Sequence, residues 1–186
     1  GRGQRVIERA LSPNGDKLVV VTEQSRPWRG DNDSMPNYIG QDGRIHFEPV
    51  RRRVADAEPN QQDFWMIDIP TQRSEKLSLT SLPDHNKDVL KDVKIENAKA
   101  LGEKYKSTKQ ERTINLLVDW SWDQSPIQWH ESGKHVALML EAWDNKDRWL
   151  ATIDLDKPTF VNQHQLHDDA WINYTFNEFG WFKDSA

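Results

Sequence analysis

One pattern recurs along this chain and constrains its fold more than any other feature. A large apolar residue precedes a polar turn carrying glycine, and an apolar run follows. It occurs at Leu11, Ser12, Pro13, Asn14, Gly15, Asp16 and Lys17 before the run from Leu18 to Val21. It returns at Trp129, His130, Glu131, Ser132, Gly133 and Lys134 before the run from Val136 to Leu140, and begins again at Trp181, Phe182, Lys183, Asp184 and Ser185. Asn-Gly and Ser-Gly suit tight hairpins because glycine accepts positive φ at little cost. A second element repeats as well. Phe64 to Ile69 resembles Trp149 to Leu155: both are apolar, aromatic or β-branched, and both carry an Ile-Asp pair before a polar turn. Each reads as a buried strand leaving the core at the aspartate.

The spacings show where the units differ. Gly133 to Asp154 is 21 residues and Gly15 to Asp68 is 53, so the first unit carries 32 extra residues between its second and third strands. Asp154 to Trp181 is 27 residues and Asp68 to Trp129 is 61, which places another 34 after the first unit. The uninterrupted period, Trp129 to Trp181, is 52 residues. A four-stranded propeller blade takes roughly 40–50. The expected fold is therefore mainly β: a partial β-propeller of four-stranded antiparallel blades with one inserted helix, across residues 1–186.

One blade is expected over about 5–80, with strands near Val6–Ala10, Lys17–Thr22, Asp63–Ile69 and Glu75–Leu79 and an insertion at 23–62. A helical insertion follows at about 83–112. The second blade spans about 127–166, with strands near Ile127–Trp129, His135–Glu141, Arg148–Asp154 and Phe160–Gln165. Residues 174–186 start a third, and Thr113 to Trp122 adds a strand without an assigned place. In the first insertion, Tyr38-Ile39 and Ile45-His46-Phe47 flank Gly40 to Gly43 as a small hairpin. In the second, Leu90, Val93, Asn97, Leu101 and Tyr105 fall at helical spacing, with Asn86 or Asp88 to cap the start and Gly102 at the last turn. Both insertions follow even-numbered strands of a blade, so both decorate one end of the stack. Loops on a rigid scaffold are where recognition tends to reside.

Composition excludes several classes. No apolar run approaches the ~20 residues of a spanning helix, and without cysteine there is no disulfide framework. Nine Trp, six Phe and three Tyr oppose disorder. With 25 basic and 30 acidic residues, net charge −5, nucleic acid is not an expected partner. No apolar leader follows Gly1, Arg2, Gly3 and Gln4.

The chemical candidates are weighed against plainer roles. Asp31, Asp33, Asn37 and Asp42 resemble oxygen ligands but lack the glycine and bidentate glutamate of a calcium loop, and read as a solvated acidic loop. His164 and His167 lie three apart, which separates them to opposite faces of a strand. No metal, cofactor or catalytic residue is assigned: phosphate loop, nucleophile elbow and zinc motif are all missing. Trp120, Trp122, Trp143 and Trp171 are read as packing between blades rather than as stacking platforms. The candidate docking surface is the first insertion: Trp28, Tyr38, Phe47 and the basic run Arg51, Arg52 and Arg53.

The Ser-Pro-Asn-Gly-Asp-Lys-Leu-Val turn, the Trp-His-Glu-Ser-Gly-Lys-His-Val-Ala-Leu repeat and the stretch Asp144 to Asp154 resemble the N-terminal propeller of prolyl oligopeptidase family serine peptidases, in the bacterial dipeptidyl-peptidase-like branch. Trp171 to Asn173 and Phe179 to Trp181 are similar too. The resemblance implies a non-catalytic propeller that gates or docks peptide substrates for an α/β-hydrolase domain of the same parent chain. That domain, with its Ser, Asp, His triad, is not in this sequence. It also implies a periplasmic or secreted location. No adjacent Glu-Glu pair is present to match the one that dipeptidyl peptidases offer a substrate amine. The alternatives are a free-standing propeller-type interaction scaffold and a glycan hydrolase using Asp119 and Asp123. The chain alone is expected to lack peptidase activity, and its cut edges to drive self-association.

Overall fold

The computed structural model describes residues 3–24, 33–38, 40–50, 60–118, 124–173 and 177–183. Its elements are largely antiparallel strands. β1 (Gln4–Leu11), β2 (Lys17–Gln24), β5 (Gln62–Asp68) and β6 (Arg73–Lys76) form one four-stranded sheet in the order β1-β2-β5-β6. β3 (Asp33–Asn37) and β4 (His46–Val50) pair as a separate hairpin. The second sheet runs β11-β10-β9-β7, from β11 (Thr159–His167), β10 (Asp147–Asp154), β9 (Val136–Ala142) and β7 (Ile114–Leu116). β8 (Ile127–Trp129) also pairs with β9, at Val136 to Leu138, while β7 takes Leu140 to Ala142. One edge of this sheet is thus supplied by two short strands in succession. β7 is the strand expected between Thr113 and Trp122, now with a place.

The two repeated turns agree atom for atom. Ser12 N donates to Lys17 O at 2.8 Å and Gly15 N to Ser12 O at 2.9 Å; His130 N donates to His135 O at 2.8 Å and Gly133 N to His130 O at 2.9 Å. Gly15 has φ 71° and Gly133 φ 69°, the left-handed region that costs a side chain ~1–2 kcal/mol. The Ile-Asp pairs end their strands alike. Asp68 Oδ1 accepts from Thr71 N at 2.9 Å, and Asp154 Oδ1 from Asp156 N at 2.9 Å.

Aligning Gly15 with Gly133 matches Val19, Val21 and Glu23 to Ala137, Met139 and Glu141. Yet Val19, Val21, Phe64 and Met66 pack into one cluster with Val136, Leu138, Leu140, Trp149, Ala151 and Phe160. Successive side chains of a strand point to opposite faces. The face that the first sheet turns toward the second is therefore the equivalent of the face that the second turns away. The sheets stack head to tail. Phe64 meets Phe160 edge-on at 5.5 Å, and burying each ring contributes about 1.5–3 kcal/mol. Trp129 Nε1 to Ala10 O (3.1 Å) and Asn14 Nδ2 to Ser132 O (3.2 Å) tie the turn regions together.

Three expectations need correction. The fourth strand of the first unit lies at Arg73–Lys76 rather than Glu75–Leu79, because Leu77 turns into the core and Leu79–Ser81 form a 3-10 helix behind Ser78. The helix, α1, covers only Lys91–Ala100, and neither Asn86 nor Asp88 caps it. Its apolar register is left uncovered among the described residues: Leu90, Val93 and Leu101 are exposed. Asp88 instead accepts from Tyr105 and, at 2.9 Å, from Ser107, fastening the chain after the helix back beside its start. Gly102, at φ 72°, does follow the last turn. Finally, the described part of the segment from Tyr174 to Trp181 is not a strand. Side chains take its backbone: Gln124 and Gln128 both donate to Phe179 O, at 2.7 and 3.0 Å. Among the described residues, no helix is long and apolar enough to cross a membrane.

Candidate functional site

The apolar layer between the sheets gives way at one end to a polar cleft of about 450 Å³. This is the end where β2 leaves toward the first insertion. Arg5 and Ile7 reach it from β1, Glu23 from β2, Asn115 from β7, and Glu141 and Trp143 from β9 and the turn beyond. Alternation puts Glu23 in line with the core residues Val19 and Val21, so its carboxylate closes the core. It is satisfied there: Arg5 Nη2 lies 3.1 Å and Asn60 Nδ2 2.8 Å from Glu23 Oε1. Gln62 Oε1 accepts from Leu116 N at 2.8 Å, and Asn115 Nδ2 donates to Asn60 O at 3.3 Å, joining the sheets across the cleft floor. Among the described residues, the buried Asn115 Oδ1 has no hydrogen-bond partner.

Glu141 differs. Among the described residues no hydrogen bond or ion pair reaches its carboxylate. Burial pushes its pKa up to about 6, a rise only partly opposed by the charge of Arg148. Arg148 stands opposite it across the β9–β10 ladder, with Nη1 2.7 Å from Asn177 Oδ1. Trp143 is half exposed at the rim. It is not packing between sheets as expected, and neither is the half-exposed Trp171; Trp149, fully buried, fills that role.

A second cluster pins the helical insertion to the second sheet. Arg112 grips Asp144 with both prongs, Nη2–Oδ1 at 2.7 Å and Nε–Oδ2 at 3.0 Å. Its Nη1 lies 2.7 Å from Asp147 Oδ2 as an ion pair without hydrogen-bond alignment. The guanidinium also stacks over the Trp149 ring, 5.6 Å from its centroid. Asp147 has no exposure; its Oδ1 lies 2.7 Å from His167 Nδ1 and 2.8 Å from Gln165 Nε2. Burial opposes its charge, but Gln165, Arg112 and His167 win and hold its pKa below the usual value. Burial likewise opposes protonation of His167, while Asp147 and Asp169 raise its pKa overall. These roles are structural. His167 thus has carboxylate partners, His164 is exposed, and among the described residues no three His, Asp or Glu side chains are grouped to hold a metal.

Of the candidate docking residues, Tyr38 and Phe47 belong to the β3–β4 hairpin region and are 72% and 69% exposed. Trp28, Arg51, Arg52 and Arg53 lie outside the described residues, as do Trp120, Trp122, Asp119 and Asp123. The cleft was missed in the sequence because its members stand far apart in the chain. The one available signal was that Glu23 and Glu141 occupy the same place in the repeat.

No protein-family model matches the sequence, and no curated protein matches it. Among solved structures, the chain is similar to a Bacteroides ovatus ATCC 8483 protein described as a candidate dipeptidyl aminopeptidase IV. The identity is 10% over 92% of this chain and 20% of that one, with TM-score 0.49. It is similar also to Porphyromonas gingivalis dipeptidyl peptidase 4, at 10% identity over 89% of this chain and 18% of that one, again with TM-score 0.49. The chain spans about a fifth of the length of these proteins. No residue role is carried over from either.

Proposed function

We propose that this chain is part of a β-propeller whose two larger sheets are consecutive blades, and that it serves a prolyl oligopeptidase-type serine peptidase as a non-catalytic gating and docking domain. The observation that carries the propeller reading is the head-to-tail stacking. A repeat that always presents one face to its successor's opposite face continues until it closes on itself. The resemblance of the turn motifs and of Asp144 to Asp154 to that peptidase family supports the parent activity. The exposed rings of Tyr38 and Phe47 support the hairpin as a contact surface for peptide or for the hydrolase domain. A periplasmic or secreted site goes with this reading.

The test uses an active-site-directed fluorophosphonate on the full-length parent protein and on this chain alone. The parent should be labelled and the chain should not, since labelling needs a serine activated by an oriented base. A full-length parent of propeller sheets alone, without labelling, overturns the peptidase reading in favour of a free-standing interaction scaffold.

A further inference from the structure

We propose that the outward face of the first sheet docks on the turned-away face of the second sheet of another copy of this chain, repeating between molecules the stacking seen within one. The argument comes from the repeat. Aligning the turns at Gly15 and Gly133, and the two Ile-Asp strand ends, gives each core position of one sheet a counterpart in the other. In the second sheet Val136, Leu138, Ala151 and Ile153 are buried against the first. Their counterparts Leu18, Val20, Trp65 and Ile67 make up the outward face of the first sheet, but stay half-buried and outside the core. The face that the first sheet presents to the second is Val19, Val21, Phe64 and Met66. Its counterparts are Ala137, Met139, Leu150 and Thr152, on the face that the second sheet turns away. Each end of the stack thus carries the face that completes the other. Such a contact joins two different surfaces, so copies continue into a ring or a row rather than stopping at a two-fold dimer.

The sizes exchange in a way that conserves volume. Within the chain the first sheet offers the ring of Phe64 and the second the small Ala151. Between copies Trp65 stands in the place of Ala151, and Leu150 in the place of Phe64. The second face has a cover of its own. Ala137 and Met139 are buried there, and Arg148 on that face donates to Asn177 Oδ1 of the C-terminal segment at 2.7 Å. Side chains hold this segment: Gln124 and Gln128 on Phe179 O, and Trp181 Nε1 on Gln128 O at 3.0 Å. Its described residues add no strand to the sheet, so another sheet can displace it without breaking a ladder. Leu150 and Thr152 are already half-buried rather than closed off. In a parent with further sheets, those sheets would take the same two faces. The inference rests on the stacking within this chain and not on the peptidase reading, so it is tested on this chain alone.

The experiment is analytical ultracentrifugation of the 186-residue chain over a wide concentration range, as wild type, V20K and T152K, each alone and the two variants mixed in equal amounts. V20K closes the outward face of the first sheet. T152K closes the turned-away face of the second, at the counterpart of Met66, which is 4% exposed. The expected result is a wild type that associates as concentration rises. Each variant alone should associate at least about tenfold more weakly, because docking would bury an unpaired lysine. Their mixture should form a pair of one V20K and one T152K chain and nothing larger, because one intact face of each kind remains. I67K and L150K repeat the two halves, and circular dichroism shows which variants are folded. A wild type that stays monomeric, a folded V20K or T152K that associates as well as wild type, or two monomeric variants that fail to pair when mixed would each overturn the assignment.

Discussion

Replacing Arg112 by methionine should destabilise the chain more at high pH than at mildly acidic pH. Methionine keeps an apolar stem over Trp149 and removes the charge together with the hydrogen bonds to Asp144 and to Asp84 O. The Arg112 side chain is 6% exposed and that of Asp147 is not exposed at all, so the change strands a buried carboxylate. Breaking such a pair costs about 3–5 kcal/mol, because the surviving charge is left uncompensated. That is a large part of the ~5–15 kcal/mol that holds a domain together. His167, on the other oxygen of Asp147, decides the pH dependence. Its folded pKa is raised, so its contribution is fully present below the unfolded value of about 6.5 and fades as pH rises through the folded one. Asp147 has a lowered folded pKa; its contribution is present above about 4 and is lost as pH falls through the folded value. Protonated His167 thus compensates Asp147 in R112M at pH 6 but not at pH 9. Urea unfolding of wild type and R112M at both pH values gives the comparison. A cost under about 1 kcal/mol at pH 9, or an equal cost at both pH values, would refute the reasoning, since a buried unpaired carboxylate would then carry no penalty.

The two turn glycines offer a matched pair. Both G15A and G133A incur the left-handed backbone penalty of ~1–2 kcal/mol, but a Cβ on Gly133 would lie 2.4 Å from Asn14 Nδ2, whereas Gly15 has open space. G133A should therefore cost about 0.5–1.5 kcal/mol more in thermal or chemical denaturation, the worth of the displaced Asn14–Ser132 bond. The difference should vanish in an N14A background, and its persistence there would break the argument. For association, the outward face of the first sheet carries Leu18, Val20, Trp65 and Ile67, with Val20 paired to Trp65. Light scattering across a wide concentration range should show self-association that V20K suppresses. A strict monomer at high concentration would show that this face needs no cover.

The local signals of the fold were legible in the sequence because they are local chemistry. The glycine turns, the Ile-Asp strand ends, the alternation that buries Val19 and Val21, and the hairpin around Gly40 to Gly43 each depend on a few neighbouring residues. The helix was legible in kind but not in role. Its apolar spacing reads the same whether or not another element covers it, and here Leu90, Val93 and Leu101 are exposed. Trp143 and Trp149 are six residues apart and equally apolar by composition; Trp149 enters the core from within β10, while Trp143 falls in the turn after β9 and stays half exposed.

Tertiary structure decided the rest, through contacts between residues far apart in the chain. The sequence determines that two similar sheets form, since each strand and turn carries its own propensity. It does not determine which face of one meets which face of the other, because both faces of each sheet carry apolar residues. Only the packed structure sets the stacking sense, and with it the fate of two equivalent glutamates. Glu23 ends at the boundary of a closed core, within reach of Arg5 and Asn60. Glu141, on the face turned away, is half-buried opposite Arg148 of β10, and burial pushes its pKa up to about 6.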